Sequence, residues 1–170
     1  TNDIIYINKI TKNISYDNGF NLNYSRCRQK GRIYFKKSVQ YLRWRYTQHP
    51  SNDYNTITIS DDGFVKSYMI YKMYKNVVNI VDFCCSDTLD FSNLISFILN
   101  YSTDNDVEAV TLWAKLGSPE HLYCEKIGCT LATPITYFGG SVFDCSDNEI
   151  TNPYYQANNW NVYLCDDNVF

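Results

Sequence analysis

The sequence is short of the residues that build most metal and cofactor sites. It has two histidines, His49 and His121, and none of its seven cysteines stands in a CxxC pair. A zinc centre needs about four thiolate or imidazole ligands at characteristic spacing, so no metal is expected. Charged residues make up only 19% of the chain, and the formal net charge is −3. An acidic balance of that kind argues against nucleic acid as a partner held by charge. No apolar run reaches the ~20 residues of a membrane-spanning helix, and no signal-peptide pattern is present. No membrane partner is therefore expected. The cysteines without metal spacing suit a reducing cytoplasm, where a free thiol behaves as a small hydrophobe.

What the sequence does contain is enough for one ordinary core. Its 170 residues are 45% apolar, which suits a single globular domain with little disorder. Sixteen tyrosines could suggest a stacking surface for bases or sugars. Together with the many asparagines, they read more simply as the composition of an AT-rich genome. No internal repeat or low-complexity linker divides the chain.

Periodicity marks the elements. Residues 1–34 are polar and Asn-rich, with one apolar run at Ile4–Ile7, and read as a short strand and an irregular lead-in. In "FKKSVQYLRWRYTQHP" the residues Phe35, Val39, Leu42 and Tyr46 lie on one helical face, and Pro50 ends the helix. The period then changes to two through "NTITIS", the turn "DDG", "FVKSYMIYKMYK", a turn at Lys75-Asn76, and "VVNIVDFCC". That is three antiparallel strands in succession. "DFSNLISFILNYS" returns to helical spacing with Asp90 as the expected N-cap, and "EAVTLWAK" (108–115) follows as a strand parallel to its predecessor. Ser118, Pro119 and Gly128 punctuate a short helix in "SPEHLYCEKIGC". Strands over 133–143 and 158–165 close the chain. The expected class is α/β, a mixed and mainly antiparallel central sheet flanked by helices.

This order, with "HLYCEKIGC" after the fifth strand, resembles the GNAT acyltransferases, whose short helix carries a pattern like Leu-Tyr-x-Lys-x-Gly-Phe. The matching residues are Leu122, Tyr123, Lys126 (one place late), Gly128 and Cys129. "YLRWRYTQHPSNDY" (41–54) is similar to an "LxWRYxxHPxxxY" segment of bacterial GNAT-like proteins associated with polysaccharide biosynthesis. The ending "NNWNVYLCDDNVF" is similar to theirs through Trp160, Asp166 and Asp167. The resemblance covers roughly residues 35–170, with 1–34 as part of the same unit. It implies a GNAT-type sheet, an acyl donor such as acetyl-CoA, and an amine or hydroxyl acceptor. It also implies that this chain is the second half of a two-domain protein, or a lone version of it, with an N-terminal partner domain.

One departure bears on function. The family grips the coenzyme A pyrophosphate with a glycine-rich loop before the helix that follows its fourth strand, where backbone N–H groups approach the phosphates. The equivalent junction here, "VDFCCSDTLDFSNL", has neither glycine nor arginine and carries Asp87 and Asp90. Their charge opposes a pyrophosphate. Two functions therefore compete: an acyltransferase, and a non-catalytic GNAT-like module that binds a partner. A donor as bulky as an aminoacyl-tRNA is disfavoured by the acidic charge.

The candidate residues follow. Tyr123 matches the position where the family places a general acid for the departing thiolate, or else is an aromatic packed on the sheet. Asp82 is a carboxylate inside an apolar strand; it is either a general base or half of an ion pair with Arg43 or Arg45. Arg43 and Arg45 could bind a carboxylate or phosphate of the substrate, or anchor helix to sheet. His121 lies two places before Tyr123, on a different helical face. Cys84-Cys85 reads as a pair of strand thiols, and Gly139-Gly140 as a bend.

Overall fold

The computed structural model describes residues 10–12, 15–17, 19–20, 33–34, 37–50, 53–131 and 159–161. The antiparallel core of the sheet forms where the period-two pattern lies. Strand β1 spans Ile10–Lys12 and β2 Ile33–Tyr34; β3 spans Asn55–Asp61, β4 Phe64–Tyr74 and β5 Val77–Cys84. The β3–β4 turn passes through Asp62 and Gly63 with φ of 48° and 79°. Positive φ at both central residues is the twist-matched hairpin geometry, and glycine adopts it without strain. Lys75, with φ of 53°, turns β4 into β5.

Helix α1 covers Val39–Leu42 and continues as a π-helical turn over Arg43–Thr47. The Ser38 side chain caps its start by accepting from the Tyr41 N–H. The expected helix thus begins four residues later than Phe35, which lies outside the described residues. The 17-residue helix α2, Thr88–Asp104, crosses back to β6, Ala109–Leu112. Its N-cap is Asp87 rather than Asp90, because the Asp87 carboxylate accepts from the Asp90 N–H at 2.8 Å. Helix α3 is Pro119–Lys126, capped by Ser118, and β7 is Trp160–Asn161.

The main sheet is mixed, in the order β1-β3-β4-β5-β6. All its pairings are antiparallel except β5 with β6, the parallel pair expected after a crossover helix. Strands β2 and β7 form a separate two-stranded parallel ribbon. The expected strand at 133–143, the run Ile4–Ile7 and the rest of 158–165 lie outside the described residues. The chain is an α/β protein with a mixed sheet flanked by helices. Among the described residues no helix is long and apolar enough to cross a membrane.

The two faces of the sheet bury different cores. On one, Ile57, Met69, Tyr71 and Ile80 meet Phe91, Leu94 and Ile98 of α2 and Cys124 of α3. On the other, Val65, Tyr68, Ile70 and Val81 meet Leu42 and Tyr46 of α1, together with Tyr16 and Phe20.

Candidate site around Asp82

Strict alternation along β5 would put Asp82 on the α2 face beside Val78 and Ile80. A bulge prevents this. Ile70 pairs with Asp82 and Tyr71 with Ile80, so Val81 is the extra residue. Val81 then belongs to the α1-side core, and Phe83 is returned to the α2 side. Asp82 is thereby aimed at α1 and is fully buried, at 0% exposure.

A carboxylate at that depth needs partners. Lys37 Nζ donates to Oδ1 at 2.5 Å, and the Tyr46 hydroxyl donates to Oδ2 at 3.0 Å. The Tyr68 hydroxyl lies 3.5 Å from the same oxygen. Lys37 is itself buried, just ahead of the Ser38 cap. The π-helical turn carries Tyr46 inward, an arrangement often met where a helix serves a site. Tyr16 completes the nest by hydrogen bonding to Thr56 at 2.6 Å. Burial pushes the Tyr16 phenol well above its usual range; the Thr56 bond opposes this and the Asp82 charge adds to it.

The structure therefore puts Lys37, rather than Arg43 or Arg45, in an ion pair with Asp82. The Arg43 Nε donates to the Tyr16 carbonyl at 2.6 Å, which ties α1 to the lead-in segment. Arg45 lies near Lys72 of β4, and burial together with this guanidinium holds the Lys72 ammonium below its usual range. Arg43 does border an open cleft of about 820 Å³ along α1, with Gln40, Tyr41, Trp44 and Gln48. The Trp44 ring is 61% exposed there and tilts against Tyr41.

Tyr123 is on the opposite face of the sheet. Its ring meets Phe91 edge-on, with centroids 6.0 Å apart, among the partly buried hydrophobics of the α2-side core. The structure does not bring the two proposed catalytic side chains together. His121 caps locally, near Glu125 and the Gly117 N–H. Cys84 and Cys85, at the end of β5, are half-buried.

The third cluster closes the N-terminus of α2. The Asp87 carboxylate caps the helix, and Asp90, nearly buried, accepts from the Ser67 hydroxyl at 2.6 Å. Lys66 Nζ reaches both carboxylates, at 3.1 Å from Asp87 and 3.0 Å from Asp90. The Ser86 N–H donates to Ser67 Oγ at 2.9 Å. Burial works against charge on Lys66, but the two carboxylates outweigh it and hold its pKa above the usual range. The Asp90 N–H, with Lys66, holds the Asp87 carboxyl below the usual range.

That depression fixes a pH dependence. A carboxyl whose pKa is lower folded than unfolded adds stability above its unfolded value, near 3.8, and loses it as pH falls through the folded value. Asp87→Ala is expected to lower stability by about 0.5–2 kcal/mol at pH 7, the usual worth of a cap. In urea unfolding at a series of pH values, the gap between wild type and variant should narrow below about pH 4. A gap that stays constant from pH 7 to pH 2 would contradict the charged cap.

Sequence reasoning found Asp82, Asp87 and Asp90 but missed Lys37, Tyr16 and Lys66. Lys37 is the second of two lysines, and nothing in its neighbourhood marks it as buried. Lys66 follows the alternation of β4, but that it meets the end of α2 depends on tertiary packing. No family model and no curated protein matches this chain.

Proposed function

We propose that this chain is a non-catalytic, GNAT-like module that serves as an accessory or binding domain of a larger assembly. The observation that carries this reading is the closed end of α2. A pyrophosphate needs free N–H groups and a positive field at a helix N-terminus. Here the Asp90 N–H is taken by Asp87, two carboxylates occupy the place, and the lysine within reach is committed to both. The GNAT-like part of the reading is supported by the parallel β5–β6 pair after α2 and by the short capped helix that follows. The exposed cleft along α1, with Trp44 and Arg43, is the face this reading offers to the N-terminal partner domain. The free thiols Cys124 and Cys129 suit a cytoplasmic setting.

Calorimetric titration with acetyl-CoA, and separately with coenzyme A, tests the reading. No saturable heat is expected at ligand concentrations up to about 1 mM, equivalent to binding weaker than roughly −4 kcal/mol. Micromolar binding would overturn it.

A second reading, an acyltransferase of surface-polysaccharide or nucleotide-sugar metabolism using acetyl-CoA, is favoured by one observation. The β5–β6 pairing ends at Ile80–Leu112, while β5 runs on to Cys84 with Asp82 at the bulge just beyond. In that reading Asp82 would take a proton from an amine or hydroxyl acceptor, and Tyr123 would protonate the thiolate. Lys37 would first have to release Asp82, and the thiolate would have to reach Tyr123 on the α2 side of the sheet.

A further inference from the structure

Helix α3 ends in a tight backbone lock that sets two cysteines against each other. Gly128 takes φ of 91°, the left-handed conformation that stops a helix. The Cys129 N–H then donates to the Cys124 carbonyl at 2.9 Å, and the Gly128 N–H to the Glu125 carbonyl at 3.0 Å. This crossed pair of bonds is the Schellman arrangement, in which the side chains of the first and last residues commonly touch. Here both are cysteines, both are free thiols, and the backbone lock sets them at the two ends of one tight turn. Cys124 is buried at 7% exposure against the α2-side core, whereas Cys129 is exposed.

We infer that Cys124 and Cys129 are a redox modification site, forming a reversible disulfide that staples the C-terminal end of α3. The oxidant is a small-molecule disulfide of the glutathione type. The exposed Cys129 thiolate attacks one of its sulfurs, forms a mixed disulfide and releases one thiolate. Cys124 then gives up its proton, attacks the Cys129 sulfur and expels the second thiolate. The protein loses two electrons and two protons, and the small disulfide becomes two thiols. The order of attack follows from the surroundings. Burial, with Cys129 and Glu120 adding to it, pushes the Cys124 thiol up to about 12, so Cys124 is the poorer first nucleophile. The neighbouring mixed disulfide is what makes its attack effective, by proximity.

The bond would fix the turn that carries Gly128 and hold the α3 side of the core closed, with no change to the Asp82 cluster on the other face. The test is to equilibrate the full chain with oxidised glutathione, block the remaining thiols and map the linkage by mass spectrometry. Trypsin, cutting after Lys126, leaves Cys124 and Cys129 on separate peptides; chymotrypsin, cutting after Phe138, then detaches Cys129 from Cys145 and Cys165. The Cys124–Cys129 link is expected to be the major oxidised species, to vanish with dithiothreitol and to be absent from Cys129→Ala. Oxidation should raise the wild-type melting temperature by about 4–8 °C and leave that of Cys129→Ala unmoved. Three results would overturn the site. Cys124 could stay unmodified while Cys129 carries only glutathione, Cys124 could link chiefly to another cysteine, or the link could form without raising the melting temperature.

Discussion

Lys37→Met is expected to destabilise the fold by about 3–5 kcal/mol, the usual consequence of stripping a buried charge of its partner. Asp82 is fully buried, where a charge is costly unless it is paired. Without Lys37, the Tyr46 hydroxyl at 3.0 Å and the Tyr68 hydroxyl at 3.5 Å are neutral donors, which offset a full negative charge less well than an ammonium does. The carboxyl would therefore take up a proton, and the loss of stability should shrink as the pH is lowered. The double variant Lys37→Met/Asp82→Leu separates the charge from the packing. It removes both ions, so it should recover part of the loss, with about 1–3 kcal/mol retained because the Tyr46 hydroxyl loses its acceptor. Urea unfolding at pH 7 reads all of these. A single variant that loses under about 1 kcal/mol would mean that the ion pair does not hold Asp82 in place.

The other large effect concerns the aromatic stack beneath α3. Phe91 is fully buried, with Phe83 at 5.3 Å and Tyr123 at 6.0 Å between ring centroids. Phe91→Ala removes a ring from a close-packed site whose neighbours can only partly collapse, and should lose about 3–5 kcal/mol. Tyr123→Phe is the informative companion. It keeps the ring that meets Phe91 and deletes only the hydroxyl, so stability should change by less than about 0.5 kcal/mol. A Tyr123 that acts as scaffold gives that pair of results. A loss of several kcal/mol on removing the hydroxyl alone would instead show it fixed in a buried polar network.

Among the described residues, the strands and helices marked by sequence periodicity lie where that patterning predicts, whereas caps and side-chain partners set by tertiary packing do not follow from it. Strands β3 to β5 combine period-two patterning with turn residues at Asp62-Gly63 and Lys75, so each local signal agrees with the fold. The parallel β6 follows from the crossover through α2. The cap of α2 lies three residues ahead of Asp90, because Asp87 and Asp90 both suit an N-cap. What decides between them is Ser67 and Lys66 of β4, which draw Asp90 inward. Asp82 stood out as a charge in an apolar strand, but its face did not, because one bulged residue inverts the alternation. Its partner was harder still. Two arginines on the helix looked the obvious cations, yet one is spent on the Tyr16 carbonyl and the buried charge comes from Lys37, ahead of the helix.

The closed N-terminus of α2 separates a binding module from an acyltransferase, and it can be watched directly. The backbone amide resonances of Ser86 to Asp90, followed by ¹⁵N NMR during titration with coenzyme A, report on the N–H groups a pyrophosphate would use. Expected are resonances that do not move up to about 1 mM ligand, with the Asp90 amide remaining hydrogen-bonded to Asp87. Saturable shifts centred on these residues would contradict the closed helix end and the non-catalytic reading.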